Sequence, residues 1–334
     1  MARMDSLTPY STLTPDCMLN AVESTGYACN GRMLALNSYE NRVYQVGVSD
    51  ENGADSFLVA KFYRPQRWSD EQILEEHAFA EELAEAEIPV VAPLRVNERT
   101  LHKFEGFRFA LFPRRGGRAP ELDNPEVLEW IGRFVGRMHA CAATRRFAHR
   151  PTIDIETFGE RSQRYLLDHA FLPPELIEPY RAASQAALAA VTDAFARAGD
   201  AAVIRLHGDC HAGNVLWTDD GPHFVDLDDA RMGPAVQDLW MLLSGDRASM
   251  TRQFSDVLAG YEDFKEFDRR ELHLIEALRT LRIMHYAAWI AERWNDPAFP
   301  AAFTWFNTQR YWEEHILQLK EQIGAVPEAP IGPL

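Results

Sequence analysis

His207-Gly208-Asp209-Cys210-His211-Ala212-Gly213-Asn214 follows the apolar stretch Val203-Ile204-Arg205-Leu206 and leads into Val215-Leu216-Trp217. The turn Asp219-Asp220-Gly221 comes next, then a second extended stretch ending in Val225-Asp226-Leu227-Asp228. Two short strands joined by such a turn form a hairpin, which is expected to bring Asn214 and Asp226 to the same end of adjacent strands. Phosphoryl transfer from ATP needs a carboxylate to orient and deprotonate the acceptor hydroxyl, oxygen ligands for magnesium, and a cation on the phosphates. Asp209 suits the first role. Asn214 and Asp226 supply the hard oxygens that magnesium prefers. A zinc site from His207, Cys210 and His211 is the weaker reading, because no second ligand pair stands at recognisable spacing elsewhere.

Outward from this stretch the pattern changes sharply. Toward the N-terminus, Thr14-Pro15 predicts a capped helix ended by Gly26, and Met33 to Val48 is rich in β-formers. Asn52-Gly53 is a hairpin turn, and a strand resumes from Ser56 to Tyr63. Ser69-Asp70-Glu71-Gln72 is a capping box opening a helix to about Glu87. An extended piece bracketed by Pro89 and Pro93 and a strand from Gly106 to Phe112 complete this part. Beyond the Arg- and Gly-rich linker 113–120 the chain reads as mostly helical. Val127, Leu128, Ile131, Val135 and Met138 form one apolar helix face, 160–199 is helical, and long helices run from about Ala235. Trp240, Trp289, Trp294 and Trp312 read as core or groove-lining residues, and the proline-rich tail after Ile323 as poorly ordered. An α+β fold of two lobes follows, 1–112 β-rich and 113–334 helical.

Lys61 interrupts the apolar strand Ser56-Phe57-Leu58-Val59-Ala60-Lys61-Phe62-Tyr63, and its ion-pair partner is sought on the following helix. Glu76 falls within the stripe Ile73, Ala80, Leu83, Ala84, whereas Glu75 points away. A carboxylate on an apolar stripe needs a partner, which selects Glu76.

The chain bears 50 acidic against 34 basic residues, a formal charge of -16. Such a surface repels nucleic acid and anionic membranes, so neither is expected as a partner. Four scattered cysteines, no apolar leader and no long apolar run point to a soluble cytoplasmic protein.

The pattern H-x-D-x-x-x-x-N, followed twelve residues on by an apolar-flanked Asp, resembles the catalytic and metal loops of the aminoglycoside phosphotransferase and choline kinase superfamily. The resemblance implies a two-lobed protein-kinase-like fold, Mg2+ as cofactor and ATP as co-substrate. It implies Asp209 and Asp226 as catalytic, with Asn214 and Asp226 on the metal. Val59-Ala60-Lys61 resembles the strand lysine that contacts the α/β-phosphates. Leu36 to Tyr44 stands where protein kinases carry a glycine-rich loop and contains no glycine, so Ser38 and its backbone are the expected phosphate donors. Adenine is expected at the backbone of Leu111 to Pro113, around Phe112. His139 is implied as a hydrogen-bonder beneath the catalytic loop, and Asp238 as the buried acid that steadies it.

Longer strings are similar to a group of bacterial stress-response serine/threonine kinases within that superfamily. They include Leu-Asn-Ser-Tyr-Glu-Asn-Arg-Val-Tyr from Leu36, Lys-Phe-Tyr-Arg-Pro from Lys61 and Phe-Val-Asp-Leu-Asp-Asp-Ala-Arg from Phe224. This implies a monomeric protein kinase acting on Ser or Thr hydroxyls, with possible autophosphorylation. The residues themselves leave open a small-molecule kinase of the aminoglycoside, choline or amino-alcohol type, and a catalytically silent nucleotide-binding regulator.

Overall fold

The computed structural model describes residues 9–332. Backbone contacts divide the chain into two units, one comprising the residues up to Arg118 with His223–Asp228, the other Ala119–Pro222 with Asp229 onward. The division thus falls within the linker rather than at 112/113, and a short strip from the middle of the helical part groups with the first unit.

In the first unit Thr14 accepts the Cys17 amide at 3.2 Å and opens α1 (Pro15–Glu23). Strands β1 (Ala28–Ala35), β2 (Arg42–Ser49) and β3 (Asp55–Phe62) follow, then α2 (Asp70–Glu85), β4 (His102–Phe104) and β5 (Phe107–Pro113). They form one antiparallel sheet in the order β1-β2-β3-β5-β4. The capping box of α2 is made in both directions, Gln72 amide to Ser69 Oγ at 3.2 Å and Ser69 amide to Gln72 Oε1 at 2.9 Å. The fourth strand is β4, not the Pro89–Pro93 piece. Three residues are too short for a periodic signal, and the β4–β5 hairpin is announced only by Glu105-Gly106, whose φ values of 45° and 84° fit a two-residue turn. The Pro89 region instead receives the returning strip, with Phe224 amide to Pro89 carbonyl at 2.7 Å and Val91 amide to Phe224 carbonyl at 2.9 Å.

Alternation along β3 positions the key lysine. Ala60 and Phe62 face α1 in a core with Met18, Val22, Val46, Phe109 and Leu111. Lys61, paired across the strand with Ala110, therefore faces the other way, to the side where Tyr63, Ile73 and Ala110 pack.

In the second unit α3 (Pro125–Ala142) buries Val127, Leu128, Ile131, Val135 and Met138. The helical stretch expected over 160–199 is split into α4 (Arg161–Asp168) and α5 (Ile177–Ala198), because Pro173-Pro174 cannot donate within a helix. Strands β6 (Ile204–Leu206), β7 (Val215–Thr218), β8 (Gly221–Phe224, its last two residues in the strip that groups with the first unit) and β9 (Arg231–Gly233) follow, β6 pairing with β9 and β7 with β8. Helices α6 (Val236–Trp240), α7 (Arg247–Tyr261), α8 (Ile275–Glu292), α9 (Ala298–Ala302) and α10 (Gln309–Ala325) complete it. Tyr180, Met284, Phe299, Phe303 and Trp312 centre the core of α4, α5, α8, α9 and α10. The tail expected to be loose is packed, with Val326 and Ile331 buried. No helix among the described residues is long and apolar enough to cross a membrane.

Helices α3 and α7 meet backbone to backbone. A Cβ on Gly132 would stand 2.0 Å from the Val257 carbonyl oxygen, and one on Gly260 1.9 Å from that of Glu129. Helix propensity alone makes Gly→Ala stabilising by about 1 kcal/mol. The contact decides otherwise, since backbone must shift to admit the methyl. Gly260→Ala is expected to destabilise by about 1–3 kcal/mol, read from the denaturant midpoint. A gain in stability would mean that the helices lie farther apart.

Candidate active site

In the first unit three carboxylates converge on one buried ammonium. Lys61 Nζ lies 2.8 Å from Asp226 Oδ1, 3.3 Å from Asp228 Oδ1 and 3.7 Å from Glu76 Oε1. Burial alone would push the Lys61 pKa down, but Asp226, Asp228 and Glu76 together hold it well above its ordinary value. Glu76 and Asp228 are buried, whereas half of the Asp226 side chain is exposed. Asp226 has φ of 60°, a left-handed backbone that few non-glycine residues adopt and that concentrates at functional positions.

Asp228 also bonds to Arg67, and Arg67 and Arg64 reach Glu40 at 3.8 and 3.5 Å. Asn41 Oδ1 accepts the Arg64 amide at 3.0 Å. Glu40 and Asn41, both buried, thereby pin the loop that joins β1 to β2, in which Ser38 sits half-buried. The loop's lack of glycine is thus matched by side-chain anchoring. Phe112 lies on β5 with its ring edge-on to His77. Arg64, Arg67 and Glu40 had no assigned role from sequence. Their only signal was a run of charges beside apolar strand ends.

In the second unit Asp209 is the hub. Its Oδ1 accepts from Arg282 Nη1 at 2.8 Å, and its Oδ2 lies 3.4 Å from His211 Nε2. His211 Nδ1 accepts the Gly213 amide at 2.9 Å, which leaves Nε2 to carry the proton toward Asp209. Burial would raise the Asp209 pKa, but the His211 hydrogen bond and Arg282 outweigh it, against opposition from Asp229, and hold the carboxyl below its ordinary range. Asn214 Nδ2 donates to the Asp209 carbonyl at 2.9 Å, which turns its Oδ1 the other way. Cys210 is buried, and burial with Asp238 and Asp209 pushes its thiol well up. No group of three or more His, Cys, Asp or Glu side chains among the described residues is placed to hold a metal ion, so His207, Cys210 and His211 do not form a zinc set.

The loop is held from below. Asp238 Oδ2 accepts the His207 amide and Oδ1 the Gly208 amide, each at 2.8 Å, and His139 Nε2 lies 3.0 Å from the same Oδ2. His139 Nδ1 in turn meets Tyr261 Oη at 3.1 Å. Gly208 has φ of 84°, and a Cβ there would stand 2.1 Å from the Asp229 carbonyl oxygen, so no other residue fits.

Beneath α6, Glu271 Oε2 accepts the Val236 amide at 2.7 Å. Burial raises its pKa from 4.5 to about 7, although the Val236 hydrogen bond opposes the shift. The folded state therefore keeps a proton that the unfolded chain releases, and stability falls as pH rises between those values. Glu271→Gln is expected to flatten this dependence, worth roughly 3 kcal/mol across the window. Unfolding measured from pH 5 to 8 tests it; an unchanged slope would assign the dependence to other groups.

The sequence profile of the phosphotransferase enzyme family, APH, matches residues 33–275, well over half of the chain. The chain belongs to that family. Among relatives of the phosphotransferase, stress response kinase A of Escherichia coli (strain K12) is 45% identical over 322 residues, covering 96% of each chain. Serine/threonine protein kinase RdoA of Salmonella typhimurium (strain LT2) is 43% identical over 327 residues and 98% of each. Among solved structures, amicoumacin kinase hAmiN, in complex with AMP-PNP, Ca2+ and Ami, superposes with a TM-score of 0.68 at 19% identity, covering 94% of each chain. A microcompartment-associated aminopropanol kinase gives 0.66 at 17% identity, over 92% of this chain and 95% of its own. At those identities the structures establish the kinase-like fold alone. The family match spans Ser38, Lys61, Glu76, Phe112, Asp209, Asn214, Asp226 and Asp238; Arg282 lies beyond its end.

Proposed function

We propose that this phosphotransferase is an ATP- and magnesium-dependent kinase that transfers the γ-phosphate to Ser or Thr hydroxyls of proteins, in the cytoplasm and in response to stress. The observation that carries the acceptor class is the near-full-length likeness to proteins named as stress response and serine/threonine protein kinases. Phosphoryl transfer itself is supported by the buried Lys61 cluster and by Asp209 on a rigidly held loop.

Each side chain then has a task. Lys61, fixed by Glu76 and Asp228, steadies the α/β-phosphates, Ser38 and its backbone cover them, and adenine meets the backbone at Phe112 and Pro113. Asp209 orients the acceptor hydroxyl and takes its proton as the oxygen attacks the γ-phosphorus; ADP leaves as the bond to the β–γ bridging oxygen breaks. The donor set suits a hard cation, because the Asn214 amide turns its oxygen away from Asp209 and Asp226 is half-exposed. Asn214 and Asp226 would hold Mg2+, which when bound neutralises charge on the phosphates.

The test is incubation with γ-labelled ATP and Mg2+, a generic protein substrate, amino alcohols and an aminoglycoside panel. Label on protein that is lost in Asp209→Asn supports the proposal; label confined to a small molecule overturns the acceptor class. Asp226→Asn is expected to weaken metal-dependent nucleotide binding at least tenfold, measured by titration with and without Mg2+. Normal affinity would remove Asp226 from the metal.

A further inference from the structure

The family profile ends at residue 275, yet the side chain in contact with the Asp209 carboxylate comes from beyond it. Arg282 on α8 holds Oδ1 through one of its five N–H donors, and both side chains are partly open, 38% for Arg282 and 24% for Asp209. The nearby acid Asp229 is matched as well, its Oδ1 lying 3.0 Å from Arg231 Nη2, and Arg231 stacks over Phe158 at 5.0 Å. Asp209 and Asp229 thus each have a guanidinium partner.

Along α8 the spacing i, i+4, i+7 puts Arg282, Tyr286 and Trp289 on one face. Tyr286 is exposed and stacks on Trp289 at 5.7 Å, and exposed Trp305 packs on Phe303 at 5.9 Å beside the same group. A guanidinium followed by flat aromatic rims is a surface for an extended polypeptide, with the cation addressing a carboxylate and the rings addressing backbone and apolar side chains.

We infer that Arg282 is a specificity-determining residue, selecting protein segments whose Ser or Thr is flanked by Asp or Glu and rejecting acceptors with an ammonium group near the hydroxyl. The inference rests on the proposed role of Asp209 and deepens it. An amino alcohol places its ammonium within a few bond lengths of the reacting oxygen, so it would enter beside the guanidinium. The chain's overall charge of -16 does not rescue it. That field is screened over roughly 8–10 Å, whereas the repulsion from Arg282 acts at contact. A flanking carboxylate gains a charge-assisted bond at the same place.

The experiment uses the full chain with ATP, Mg2+ and a positional-scanning Ser/Thr peptide library, with ethanolamine as a small cationic acceptor. Wild type is expected to prefer Glu over Lys beside the acceptor by about tenfold or more in kcat/KM, carried mainly in KM. Arg282→Ala should level that preference to within about threefold, and Arg282→Lys should keep its direction. Arg282→Glu should reverse it and raise turnover of ethanolamine. Acceptor-independent nucleotide affinity, read in parallel, reports that each variant is folded. Wild type that labels peptides without acidic preference, or Arg282→Glu that keeps the wild-type order, overturns the inference while leaving the kinase proposal standing. Wild type that labels ethanolamine and no peptide overturns both.

Discussion

Asp209→Asn is expected to lower phosphoryl transfer by about 10²–10⁴-fold while nucleotide affinity stays within about twofold. The substitution is isosteric and removes only the basic oxygen and its charge. Arg282 and His211 lose a charged partner, but both are partly exposed and can turn to water, so the fold is expected to survive. The residues proposed to hold the nucleotide, Lys61, Glu76 and Asp226, belong to the other unit and keep their mutual contacts. Single-turnover transfer from labelled ATP, with nucleotide titration alongside, separates the two effects. Retention of more than a tenth of the wild-type rate would remove Asp209 as the base.

Asp238→Ala is expected to cost about 3–5 kcal/mol of stability and to abolish transfer without touching any substrate. Asp238 is fully buried, and three donors depend on it: the His207 amide, the Gly208 amide and His139. Truncation strands all of them where water does not reach, and the Gly208 amide, in a left-handed backbone that other conformations of glycine compete with, loses the bond that fixes it there. Asp238→Asn should be milder, at about 1–3 kcal/mol, because one amide oxygen cannot serve both amides and the imidazole. Denaturant unfolding gives the stability. The activity loss should exceed the change in folded fraction, because loop geometry fails before the fold does. A variant that folds and transfers normally would show that the loop is self-supporting.

Much of this was legible without coordinates, for reasons that are local. Helix caps such as Thr14 and Ser69 are read from neighbouring residues, and the phase of α2 separates Glu76 from Glu75 because helical period is a backbone property. The spacing from Asp209 through Asn214 to Asp226 is likewise written in order along the chain. The three-residue β4 escaped because it is shorter than any period, and the packed tail escaped because burial of Val326 and Ile331 depends on surfaces far away in sequence.

The stretch from His207 to Asn214 and the lysine strand are therefore determined by the sequence itself, together with the family to which the chain belongs. Apart from Lys61 with Glu76, which helical phase named, only the tertiary structure decided which charges meet. Asp209 finds Arg282 73 residues away, and Asp228 finds Arg67 across 161. No periodicity reports such pairs, since long-range ion pairs are chosen by where packed elements leave their side chains. Spacing names the residue proposed to take the proton, and packing sets the charges that surround it.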